Sequence, residues 1–204
     1  MKRFTRSSQA KAIMHYKKDV PAKINQAFLN RRVDAAFISS IAAKKAKHIN
    51  LGIIAKKEVR SVLVIPSKKN KNDIESASSN ILAKILQQNG EVLIGDKALR
   101  YALKNNDYID LAQLWQKRYK LPFVFALLCY HRDKKLYKKI EKEFLKKKQK
   151  IPMYLLEQAA RKTDITPKEI LRYLELISYR LDTKAKLGLK KFYREAPSFI
   201  KKSL

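Results

Sequence analysis

The chain reads as an α/β protein built in two lobes, on three observations. Strand-like and helix-like patterns alternate along most of it, hydrophobic residues make up 46% of its 204 residues, and a nearly charge-balanced middle separates two strongly basic flanks. Such alternation favours helices layered on sheets over a bundle or a sandwich. The hydrophobic share supports a core and excludes a disordered tail, despite a formal net charge of +29 from 47 Lys and Arg against 18 Asp and Glu. Residues 1–62 carry 15 basic and 3 acidic side chains, 63–130 carry 10 and 6, and 131–204 carry 22 and 9. One lobe inserted into another explains this order: 1–62 opens lobe one, 63–122 forms lobe two, and 123–204 is a hinge strand with a helical return to lobe one.

Taken in order, residues 12–16 form a weak strand. Residues 21–30 form a helix with Pro21 in its first turn, where the missing amide hydrogen costs nothing. The short apolar run 33–38, ending in Ser39 and Ser40, reads as a buried parallel strand. Residues 51–55 and 59–65 are two further strands, and the polar stretch 66–76 is a loop. Ser78 and Ser79 precede a predicted helix over 80–89, in which Ile81, Leu82, Ile85 and Leu86 recur at helical spacing and Gly90 is the stop. Residues 92–94 form a strand that breaks at Gly95 and Asp96 into another helix. Residues 110–117 are helical, and 121–130 is the most apolar strand. Everything from Arg132 onward reads as helix. Thr166, Pro167 and Glu169 make a capping box there, and Ile170, Leu174, Ile177 and Leu181 continue one apolar face.

Several chemistries are excluded. Cys129 is the single cysteine, so no disulfide or cysteine zinc site forms within the chain, and a reducing cytoplasm is the expected compartment. His15, His48 and His131 lack metal-ligand spacing, so no metal is expected. No phosphate-binding glycine loop occurs. The longest apolar run, over 121–130, is half the length of a membrane-spanning helix, and no apolar stretch follows the basic start as a signal peptide requires. Most basic residues alternate with helix-spaced apolar ones, which describes a solvated face over a core better than a nucleic-acid surface.

The polar groups at strand ends and helix starts are mostly hydroxyls: Ser39, Ser40, Ser61, Ser76, Ser78 and Ser79. Two uses fit them. Helix amino termini beside hydroxyls, here Ser78, Ser79 and the amides of Asn80 and Ile81, bind carboxylates or phosphates; the same residues also serve as ordinary helix caps. Asp96, after Gly95, either caps its helix or faces the cleft.

Six segments in order resemble one family. They are Val20-Pro21-Ala22-Lys23-Ile24-Asn25, Val33-Asp34-Ala35-Ala36-Phe37-Ile38-Ser39-Ser40, Val59-Arg60-Ser61-Val62-Leu63, Ser76-Ala77-Ser78-Ser79, Leu93-Ile94-Gly95-Asp96-Lys97-Ala98-Leu99, and the stretch from Asp110 through Trp115 to Pro122 and Ala126. Together they resemble the chorismate dehydratase family of the futalosine route to menaquinone, whose fold is similar to two-lobed periplasmic solute-binding proteins of type 2. The resemblance implies loss of water from chorismate to give 3-[(1-carboxyvinyl)oxy]benzoate, with no redox cofactor or metal. It implies a cleft in which Ser39, Ser40, Ser61, Ser78, Ser79, Asn80, Gly95 and Asp96 meet a dianionic substrate. The family begins with a strand and a tyrosine-leucine-asparagine motif that residues 1–18 do not match. The resemblance therefore implies that the chain lacks that first strand, and it assigns no catalytic residue. Two other functions compete: a solute-binding-like protein that keeps the cleft without the chemistry, and a nucleic-acid binder using residues 166–181 as a recognition helix, which packing of its apolar face disfavours.

Overall fold

The computed structural model describes residues 19–146 and 150–197, so the strand expected over 12–16 lies outside the described residues, as does His15. Helix α1 (Pro21–Leu29) starts at its proline. It is stopped by Arg31 at φ 55°, where the Arg31 and Arg32 amides turn back onto Phe28 and Ala27. The chain then enters strand β1 (Ala35–Ser39), a single turn of helix α2 (Ser40–Ala43) and strand β2 (His48–Ala55).

Two sheets follow from the pairing. Strand β3 (Val62–Pro66) lies between β4 (Gly90–Ile94) and β5 (Ile109–Asp110). Strand β6 (Phe123–Tyr130) lies between β1 and β2, and β7 (Ile177–Arg180) extends the far side of β2. Every strand pair in both sheets is antiparallel, which corrects the parallel reading of residues 33–38. A short apolar run shows that both faces are buried; it carries no information on the direction of its neighbours.

Further boundaries differ from expectation, among them Gly90, which opens β4 rather than stopping the preceding helix. The strand expected over 59–65 starts at Val62, because Arg60 sits at φ 57° and interrupts an extended chain. Helix α3 (Ala77–Ile85) starts three residues early: Ser76 is its N-cap and accepts from the Ser79 amide at 3.3 Å. The apolar face over 170–181 is split between two elements. Helix α8 (Pro167–Glu175) carries both bonds of the capping box, and the chain then turns into β7, where Ile177 pairs with Ala55. The remaining helices are α4 (Gly95–Lys104), α5 (Leu111–Tyr119), α6 (Lys134–Lys146), α7 (Met153–Thr163) and α9 (Thr183–Glu195). None of the described helices is long and apolar enough to cross a membrane.

β6 supplies all three buried clusters. Phe123 joins Trp115 and Phe192 against the second sheet, Val124, Leu127 and Cys129 pack with Phe28 and Leu189, and Leu128 and Tyr130 pack with Tyr137 and Ile140. α9 reaches the residue before β6 through Gly188, where a Cβ would clash with the Pro122 carbonyl oxygen.

The crossing between the sheets is fixed by one buried carboxylate. Asp110 Oδ2 accepts from the Val59 and Arg60 amides at 2.8 and 2.6 Å, while Oδ1 caps α5 by accepting from the Gln113 amide at 3.0 Å. Burial pushes this carboxyl above the ordinary carboxylate range, against the opposing pull of its amide donors. The folded chain therefore holds the proton to higher pH than the unfolded one, and this group's contribution to stability declines as pH rises through that window. Asp110→Asn presents an NH2 group to donors and is expected to cost about 1–3 kcal/mol in urea unfolding. The wild-type advantage over the variant is expected to be largest at the acid end and to shrink with rising pH. A slope of opposite sign would show that the amide donors outweigh burial.

Candidate functional site

The described buried polar residues are Ser39, Ser40, Ser61, Ser78, Ser79 and Asp110. Five of these six are hydroxyls expected to face a ligand, and the bonds they make separate them into different roles. A hydroxyl has one hydrogen to give and two lone pairs, so the partner already present decides whether the hydrogen is spent.

The Ser40 hydroxyl donates to the Val124 carbonyl and pins α2 to β6, while its own carbonyl accepts from the Tyr193 hydroxyl at 2.8 Å. Burial pushes the Tyr193 phenol upward, which keeps it a donor. The hydroxyls of Ser79 and Ser76 bond each other at 2.7 Å within the cap of α3. By contrast, Ser39, Ser61 and Ser78 each receive a hydrogen bond. Asn25 Nδ2 donates to Ser39 Oγ at 3.0 Å, the Tyr173 hydroxyl donates to Ser61 Oγ at 3.1 Å, and the Ile41 amide donates to Ser78 Oγ at 3.1 Å. None of these three hydroxyl hydrogens has an acceptor among the described residues.

These bonds gather the expected residues into two groups. The Ile41–Ser78 bond joins the start of α2 to the first turn of α3, so Ser39, Ser40, Ser78 and Ser79 lie together. The Gly95 amide donates to the Ser61 carbonyl at 2.8 Å, which sets the start of α4 beside Ser61 and Tyr173. Gly95 has φ 63°, and a Cβ there would meet nothing within 4 Å, so α4 begins facing open space. Asp96 is exposed and makes no hydrogen bond or ion pair among the described residues. Burial, with a smaller contribution from Asp96, holds the Tyr173 phenol above its ordinary value. Asn80 is committed elsewhere: its amide holds both the nitrogen and the carbonyl of Asp73 and closes the preceding loop.

Ser39 and Ser61 keep 8% and 6% of their surface in contact with solvent, against 1% for Ser78 and Ser79 and none for Ser40. Access and an unspent hydrogen therefore coincide at Ser39 and Ser61. Cys129 is fully buried, and burial pushes its thiol up to about 12, so it is no nucleophile near neutrality. Among the described residues no cluster of three or more metal-ligating side chains occurs.

A cavity of about 610 Å3 opens elsewhere, lined by Phe28, Arg31, Asp34, Lys45, Lys47 and His131 among others. It lies at the Ala35–Tyr130 end of the first sheet, whereas the serines lie at the Ser39–Ala126 end, roughly 13 Å away along the strand. Its lysines and arginines are exposed, and its partly buried His131 is already bonded to the Phe28 carbonyl. The serine cluster is the better candidate.

Asn25, Tyr173 and Tyr193 are the residues sequence reasoning missed. Asn25 sits one turn before Phe28 on the half-buried side of α1, and that polar residue on a packing face was the available signal. Tyr173 and Tyr193 reach the serines from positions more than a hundred residues away, and no local pattern marks them.

Residues 67–198 match a family described as menaquinone biosynthesis. A chorismate dehydratase of Campylobacter jejuni subsp. jejuni serotype O:23/36 (strain 81-176) is 47% identical over 198 residues, covering 95% of this chain and 89% of that protein. The crystal structure of protein AF1704 from Archaeoglobus fulgidus shares the fold, with a TM-score of 0.59 at 17% identity over 91% of this chain and 86% of that one.

The bonding roles predict different consequences for two adjacent serines. Ser40→Ala strands the buried Val124 carbonyl and is expected to cost about 1–3 kcal/mol of stability in urea unfolding. Ser39→Ala keeps its backbone tie to Asn25 and is expected to cost less than about 1 kcal/mol.

Proposed function

From the premise that this chain belongs to the chorismate dehydratase family of menaquinone biosynthesis, we propose that it eliminates water from chorismate in a cleft between its two sheets. In the reaction a ring proton and a ring hydroxyl leave together as water. The ring gains its third double bond, and 3-[(1-carboxyvinyl)oxy]benzoate results. No electrons are exchanged, and aromatisation supplies the driving force.

The single observation that carries this reading is the set of unspent hydroxyl hydrogens. Chorismate is a dianion, and the Ser39, Ser61 and Ser78 hydroxyls offer neutral donors that bind carboxylates without burying unpaired cations. Ser40 and Ser79 hold the elements that carry those donors. Asp96, free of protein partners at the open start of α4, accepts from the substrate hydroxyl and orients it beside Gly95. The exposed lysines act at longer range, raising the encounter rate with an anion in a salt-dependent way.

This reading divides the chain into a periplasmic-binding-protein-like pair of lobes, 1–62 with 123–204 and 63–122, hinged at the crossing that Asp110 holds. Ser39, Ser40 and Ser61 belong to the first and Ser78, Ser79, Asn80, Gly95 and Asp96 to the second, so substrate bridges the two.

Chromatographic detection of the aromatic product after incubation with chorismate tests the activity directly; no product from folded protein sinks it. The Ser78 donor is tested by calorimetric titration of a Ser78→Ala/Ser79→Ala double variant, with Ser79→Ala alone as the control for loss of the cap. Chorismate binding is expected to weaken by roughly 1.5–3 kcal/mol, or about ten- to a hundredfold. Unchanged affinity beside a lowered melting point would return this pair to helix capping alone.

A further inference from the structure

The bond pattern around Ser39 goes beyond its place in the cleft. Asn25, on α1, makes two hydrogen bonds to the same residue: its Oδ1 accepts from the Ser39 amide at 2.9 Å, and its Nδ2 donates to Ser39 Oγ at 3.0 Å. The orientation of this carboxamide is forced. A backbone N–H only donates, so Oδ1 faces the amide, and Nδ2 is then the atom left against the hydroxyl.

The consequence falls on the hydroxyl hydrogen. Because Oγ already receives a hydrogen bond from Asn25, the Ser39 hydrogen cannot point at that partner and is turned away from it. Ser39 is also the N-cap of α2 yet makes no side-chain cap bond, so local capping does not use this hydroxyl either. What remains is a polarised donor on the most accessible of the five buried serines.

We propose that Asn25 is a positioning residue for substrate: it presets the Ser39 hydroxyl as a donor aimed at a substrate carboxylate, and it touches no substrate itself. The inference rests on the proposed chorismate-binding cleft. An apolar residue in place of Asn25 would leave the Ser39 amide without this acceptor and the hydroxyl free to rotate. Ser39 and Asn25 are therefore expected to act as one unit.

Asn25→Asp is the informative substitution. A carboxylate still accepts from the Ser39 amide, so the fold is retained, but it also accepts from the hydroxyl and captures the hydrogen that the substrate needs. The added charge repels a dianion as well. That repulsion acts equally in a Ser39→Ala background, whereas hydroxyl capture does not, so the comparison of the two backgrounds removes it. Chorismate affinity is measured by calorimetric titration for the wild type, Asn25→Asp, Ser39→Ala and the double variant, with a melting curve on each. Asn25→Asp is expected to weaken binding about tenfold more when Ser39 is present than in the Ser39→Ala background, with melting temperatures little changed. Equal losses in both backgrounds, or wild-type affinity in Asn25→Asp, would overturn the positioning role while leaving the cleft in place. Failure of the wild type itself to bind chorismate overturns the proposed function, and this inference with it.

Discussion

The two sheets stand in their observed relation because one carboxylate is held at their crossing. The chain leaves β2 at Ala55 and enters β3 at Val62, and the amides of Val59 and Arg60 between them both point at Asp110. Asp110 belongs to the end of the second sheet and to the start of α5, which leads back to β6. The outward and return passages are thus tied at a single residue. Burying a charge at 6% exposure is costly, and Asp110 has no cation partner among the described residues. The Val59, Arg60 and Gln113 amides offset part of that cost, and the two oxygens of one short side chain serve them all.

From that tie, β6 runs back through the first sheet as its second strand and sets the position of the hydroxyls. Its Val124 carbonyl takes the Ser40 hydrogen, and its register with β1 places Ser39 opposite Ala126. α9 closes over the same region, with Phe192 in the aromatic cluster around Trp115 and Tyr193 on the Ser40 carbonyl. Aromatic packing and hydroxyl geometry therefore share the same scaffold. A shift of α9 large enough to loosen Phe192 also withdraws the Tyr193 donor from Ser40.

Much of this was legible in the sequence, for reasons that differ by element. Pro21, the Thr166–Glu169 box and the apolar run ending at Tyr130 are local signals, and each marks a real boundary or core strand. The five serines stood out because they lie at strand ends and helix starts, where a hydroxyl either caps a helix or meets a ligand. Strand direction was not legible, since burial of a short run is the same for either orientation. β7 was hidden because Ile177 and Leu181 repeat at helical spacing, and only pairing with β2 overrides it. The division of labour among the serines was the least accessible part. It depends on Asn25, Tyr173 and the Ile41 amide, and these partners are set by tertiary contact rather than by spacing.

On the proposed reading, the choice of neutral donors has a consequence for turnover. Elimination of water leaves both carboxylates in place, so product carries the same charge as substrate. A buried lysine or arginine would hold the two anions alike, and strong binding shared by substrate and product lowers the concentration needed for saturation without speeding the chemistry. Among the described residues no lysine or arginine is buried, although the chain carries 47 of them. The cations remain at the surface, where screening limits them to bringing anions near. Inside, on the same proposal, a hydroxyl hydrogen turned outward by a partner such as Asn25 gives direction without a fixed charge. On the proposed reading, the protein separates attraction from recognition: lysines collect a dianion, and oriented serines place it, with binding weak enough that an equally charged product departs.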